Sequence, residues 1–254
     1  MKGAVINNEG EAAGVLPPTV ERGLNAFIEA ACAAFVEDLR AVVLYGSGAE
    51  GQLRATSDVN LLLVLSAFEQ RQADKLREPL RLAQASIRLR TMFLLESELH
   101  PALSAFAVKF ADILRRRRVL YGDDPFAGIH ISRADAIVRL KQTLLNLTLR
   151  LREAYIARGL REEQLVATMS NVAGPLRSCA ASLLELEGQA FESGKEALRQ
   201  VAAALPDATA HALEIERMSE ARQTGTLAGG VAAPTLFHLI ELARLMWTRA
   251  AALS

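Results

Sequence analysis

Val42-Val43-Leu44-Tyr45-Gly46-Ser47-Gly48-Ala49-Glu50-Gly51-Gln52-Leu53-Arg54-Ala55-Thr56-Ser57-Asp58-Val59-Asn60-Leu61-Leu62-Leu63-Val64-Leu65 is the stretch that decides the fold. Two apolar runs flank a small-residue turn and a short polar segment. The pattern predicts strand, turn, short helix, strand, with the polar side chains gathered at one end of a small sheet. Gly46 has no Cβ and lets a backbone approach a ligand closely. Ser47 and its successors are expected to open a helix, whose free N–H groups favour an anion. Asp58 and Asn60 lie two apart on a strand and so share a face. A carboxylate beside an amide oxygen suits a hard cation such as Mg²⁺.

The flanking sequence extends this α+β reading. Residues 1–16 are rich in Gly, Ala and Asn and are expected to form a loose arm. Pro17-Pro18-Thr19 opens a helix with apolar residues at 20, 24, 27, 28, 31, 35 and 39. A surface helix is expected over 67–84 despite Pro79, then a strand over 86–95. In that strand Arg88 and Arg90 share a face, where they meet phosphate, replace a missing metal charge, or stand in solvent. Alternation of Phe106, Val108 and Phe110 predicts a further strand with Lys109 outward. The segment 115–126, four arginines followed by Val-Leu-Tyr-Gly-Asp-Asp-Pro-Phe, is punctuated by Gly and Pro and marks a boundary. The expected domains are therefore 17–125 and 126–254. The second is an antiparallel helix bundle, with Ser132 and Asp135 as its first cap and helices to about 157, 162–188, 191–204, 208–221 and 235–253. The last is apolar on several sides, as suits a central helix or a dimer interface.

The stretch over residues 42–65 resembles the nucleotidyltransferase superfamily, which includes DNA polymerase β and the aminoglycoside nucleotidyltransferases. The residues that match are Gly46-Ser47, Gly51, Ser57-Asp58 and the apolar run 61–65. Val119-Leu120-Tyr121-Gly122-Asp123-Asp124-Pro125, followed by helices, also matches one branch in layout. The resemblance implies two metal ions held by three acids, two of them on the second strand, with a nucleoside triphosphate such as ATP as substrate. It implies roles for Gly46 and Ser47 in nucleotide binding and for Asp58 as metal ligand, and Arg88 and Arg90, from their shared strand face, are the candidate phosphate contacts beside them. It also implies catalytic roles for Asp58 and for the position of Asn60. Relatives often use the helical domain for substrate contacts or dimerisation.

Asn60 departs from this pattern, because a neutral amide stands where a second acid is expected. Lys109 stands where relatives often carry the third, leaving Glu96, Glu98 and Asp112 as stand-ins. Nucleotidyl transfer relies on metal charge at the attacking and leaving oxygens. Loss of two acids is worth roughly a thousandfold in rate, about 4 kcal/mol. The expectation is a catalytically degenerate member, a pseudoenzyme that keeps a nucleotide-binding or interaction role. The alternative is an active Mg²⁺-dependent transferase with a small-molecule or protein acceptor.

Composition narrows the remaining classes. The 254 residues carry 29 basic and 29 acidic side chains, so no global field draws the chain to nucleic acid or an anionic membrane. The four consecutive arginines lack interleaved aromatics and read as inter-domain salt links or a solvated face. Two distant cysteines, no signal pattern and no bilayer-length apolar run lead to a cytoplasmic protein as the expectation. His100, His130, His211 and His238 show no metal or triad spacing, and no nucleophile elbow is present.

Overall fold

A computed structural model describes residues 15–54, 57–159 and 161–253. Its packing divides the chain into two compact units. The first comprises the described residues up to Leu103 together with Asp112–His130, and the second Ser104–Ala111 together with residues 131–253.

The first unit is a four-stranded sheet with helices. Helix α1, Pro18–Phe35, starts with proline at its first position and buries Leu24, Phe27, Ile28, Ala31 and Phe35. Strand β1, Leu39–Tyr45, follows after one tight turn. Strand β2 is Val59–Leu65 and strand β3 is Leu89–Leu95, joined by helix α2, Gln70–Ile87, which accommodates Pro79. Strand β4 is Arg117–Gly122. The order is β3-β2-β1-β4, with β2 and β3 parallel and the other pairs antiparallel. Val42, Leu44, Leu61, Leu63, Leu65 and Leu89 pack with α1 and α2 into one core on one face of the sheet. Asp38 accepts from Ser66 Oγ at 2.6 Å and Gln72 Nε2 at 2.7 Å, tying β1, β2 and α2 together at the end away from the polar turn.

Five expectations are corrected. Residues 106–110 are not a strand: helices α3, Leu99–Ala105, and α4, Ala107–Arg115, occupy that region. Phe106 is exposed while Ala107, Phe110 and Ile113 are buried, so the three-residue spacing prevails over the apparent alternation. Residues 117–122, read as punctuation, form the edge strand β4. Gly122 ends it at φ +74°, where a Cβ would lie 1.9 Å from the Arg40 carbonyl oxygen. The strand expected from residue 86 begins at Leu89, since Ser86 and Ile87 close α2. The helix expected at Ser47 is a single tight turn, Gly46–Gly48. Of the arm, residues 1–14 lie outside the described residues, whereas Leu16 is buried in the core.

The second unit is a helix bundle. Its helices are α5, Arg133–Arg158; α6, Glu162–Leu186; α7, Gly194–Ala203; α8, Ala208–Thr224; and α9, Ala232–Ala251. Ser132 caps α5, accepting from the Asp135 N–H at 3.1 Å. Helix α6 touches α5, α7, α8 and α9 and buries Leu165, Met169, Leu176, Cys179 and Leu183, so it is the central helix. Helix α9 packs on α5, α6 and α8 and leaves Phe237 exposed, its ring edge-on to Tyr155 at 5.4 Å.

Candidate functional site

The site lies at the end of the sheet where β1 stops and β2 starts. Cross-strand pairing lines up Arg117, Tyr45, Asn60 and Arg90 in one row across all four strands. Directly paired residues share a sheet face. That face is opposite the one covered by α1 and α2, as the alternation from Leu44 and Leu61 requires.

Gly46 carries the turn. Its φ of +73° is costly for a side-chain-bearing residue, and its N–H donates to the Arg116 carbonyl at 2.9 Å. A Cβ here would sit 3.8 Å from Asn60 Nδ2, so the turn and Asn60 adjoin. Gly48 and Gly51, the latter at φ +67°, disfavour continuation into a helix, which is why one turn forms. Ser47 is half-buried, and its carbonyl accepts from the Gln52 N–H at 2.9 Å.

Asp58 precedes β2 and is clamped by two arginines. Arg88 Nε lies 3.2 Å from Oδ1, and Arg90 Nε lies 3.6 Å from Oδ2. Asn60 Nδ2 donates to the Asp58 carbonyl at 3.4 Å. The sequence placed Arg88 and Arg90 on one side. The structure brings both to the same carboxylate. These side chains are 57% and 70% exposed, and ion pairs so open to water contribute under about 1 kcal/mol. Their effect is therefore on the charge of the site and not on the stability of the fold.

Each acid that could have completed a metal site is engaged elsewhere. Glu96 pairs with Arg40 at 3.3 Å, and Glu98 accepts from the Leu95 N–H at 3.0 Å. Asp112 is held by Arg115 at 3.3 Å and Arg116 at 2.5 Å. Lys109 stands on helix α4 and not on a strand. Among the described residues no group of three or more His, Cys, Asp or Glu side chains could hold a metal ion. One carboxylate facing two guanidiniums, with a neutral amide beside it, does not fit the two Mg²⁺ ions that the resemblance implies.

The arginine run has a structural explanation that the sequence left open. Arg116 bridges Asp112 and Glu50, the latter at 3.1 Å, so it fixes the loop after Gly46. These contacts raise its pKa despite burial. Arg117 pairs with Asp124 at 2.7 Å and lies over the Phe126 ring, and Asp124 also accepts from the Phe126 N–H at 3.1 Å. Arg115, Arg116 and Arg117 thus make salt links within the first unit. Glu50 and Arg116 were not singled out for the site. The signal available was the arginine run itself. Tyr45 stays a neutral phenol, its pKa pushed up to about 12 by burial and by Asp112. Cys32 and Cys179 are free, and burial pushes the Cys179 thiol up to about 12, which makes it inert.

The sheet order, the turn after β1 and the following helical bundle define a nucleotidyltransferase-like α+β fold with a helical C-terminal region. The chain is similar in structure to the spectinomycin adenyltransferase from Enterococcus faecialis, solved with ATP and spectinomycin. That match has a TM-score of 0.61 at 15% identity and covers 88% of this chain and 99% of the other. At that identity the likeness establishes the fold. No family model and no curated protein matches the sequence. Among the described residues no helix is long and apolar enough to cross a membrane.

Proposed function

We propose that this is a nucleotidyltransferase-fold protein that binds a nucleotide but does not carry out metal-dependent nucleotidyl transfer. The observation that carries the reading is the clamp on Asp58, an acid that faces two arginines and has a neutral amide as neighbour. Gly46 and Ser47 form the turn against which the phosphates would rest, with Arg88 and Arg90 supplying positive charge. The structural neighbour's ATP supports a nucleotide as ligand, with ATP as the first to test. We place the protein in the cytoplasm, consistent with two free thiols.

The test follows pyrophosphate release from ATP with Mg²⁺, alongside ATP binding by calorimetry. The expected result is binding without turnover. Turnover that disappears in Asp58→Ala would establish the other reading, an active transferase with a small-molecule or protein acceptor.

We also propose a homodimer formed through the helical unit. Val138, Leu145, Leu149 and Ile156 recur at helical spacing on α5 and are all exposed, as is Phe237 on α9. Light scattering checks this, with a monomer mass at high concentration as the contrary result.

A further inference from the structure

We infer that Arg88 and Arg90 take the place of the metal, so that the site binds the triphosphate of a nucleotide in its metal-free form. This rests on the nucleotide-binding reading above and specifies which ionic form of the ligand the site accepts.

Three observations lead to it. The first is charge. Asp58, Arg88 and Arg90 together carry one net positive charge, whereas a site for two divalent cations needs an excess of carboxylate. A cation approaching Asp58 is repelled by the guanidiniums that already hold it, and a polyanion is attracted to them.

The second is geometry. Both arginines reach Asp58 through Nε. A guanidinium has five N–H donors in a planar fork, and an Nε contact leaves donors on its outer edge available to phosphate oxygens. Asp58 thus orients two phosphate-binding groups side by side. Asn60 is next to Arg90 across the β2–β3 pair and next to the Gly46 turn, so it stands between the arginines and that turn.

The third is backbone conformation. Arg88 closes α2 at φ 53°, ψ 41°, a left-handed position that glycine fills at least cost. Its carbonyl accepts from the Val59 N–H at 3.3 Å, which anchors it beside Asp58. A long charged side chain at such a position fits a functional use of the guanidinium.

The experiment is calorimetric titration of the full chain with ATP, once in excess EDTA and once in excess Mg²⁺. The expected affinity in EDTA equals or exceeds that in Mg²⁺, because chelation lowers the charge of the triphosphate. Inorganic tripolyphosphate should displace ATP in EDTA, and Arg88→Gln with Arg90→Gln should weaken metal-free binding at least tenfold. Binding at least tenfold tighter with Mg²⁺ than without overturns the inference and leaves the nucleotide-binding reading intact. Failure of tripolyphosphate to compete, or metal-free binding unchanged in the double variant, also overturns it. No ATP binding in either condition overturns the nucleotide-binding reading itself. The comparison between EDTA and Mg²⁺ needs no variant, so it holds even if the double substitution impairs folding.

Discussion

Arg88 reaches across 30 residues of sequence to place its Nε 3.2 Å from Oδ1 of Asp58, and it does so from a left-handed backbone position. The two facts oppose each other in stability. The backbone conformation costs about 1 kcal/mol relative to glycine, and the exposed ion pair returns under about 1 kcal/mol. Arg88→Gly should therefore leave the unfolding free energy unchanged within about 1 kcal/mol, while weakening metal-free ATP binding. Urea unfolding checks the first part. A loss above about 2 kcal/mol would show that the pair holds the fold together.

Gly122 gives the contrasting case. A Cβ there would lie 1.9 Å from the Arg40 carbonyl oxygen, at a φ of +74°. Because Gly122 is paired with Ala41, the clash can be relieved only by moving β4 away from β1. Gly122→Ala should cost at least about 2 kcal/mol. Thermal and urea unfolding measure this, and a variant as stable as the parent would contradict the register of β4.

His211 makes stability depend on pH. It is buried on α8, and burial lowers its pKa from 6.5, with Asp207 and Glu241 opposing the shift less strongly and His238 adding to it. The unfolded chain takes up a proton near pH 6.5, where the folded chain does not. Stability contributed by the neutral ring is thus complete above that pH. It falls as the pH drops below 6.5 toward the folded-state pKa. The unfolding free energy of the parent should fall between pH 7.5 and 5.5 more steeply than that of His211→Phe. Equal slopes would show that this ring is not the source.

Much of the fold was legible because local pattern and tertiary use agree. The apolar runs before Gly46 and after Asp58 are central strands, and Ser132 with Asp135 caps a long helix as their spacing implies. Edge strand β4 was hidden because Arg117 and Arg118 suit an edge open to water but give no strand signal, and its pairing with β1 spans more than 70 residues. Over residues 106–110, five positions are too few to separate a period of two from one of 3.6, and burial of Phe110 and Ile113 decides for a helix. At the site, the spacing of Asp58, Asn60, Arg88 and Arg90 was visible in the sequence. That both arginines converge on Asp58 depends on the parallel pairing of β2 with β3, which no local signal encodes.

The most direct measurement of the central claim is the ATP affinity of Asp58→Asn relative to the parent, in EDTA and in Mg²⁺. If Asp58 serves to hold two arginines, the Asp58→Asn amide keeps an acceptor oxygen for the guanidiniums and removes the negative charge beside the triphosphate. Metal-free ATP binding should then tighten several-fold, with no loss in Mg²⁺. If Asp58 is a metal ligand, the same substitution should abolish Mg²⁺-dependent binding and any pyrophosphate release, and that result would contradict the account.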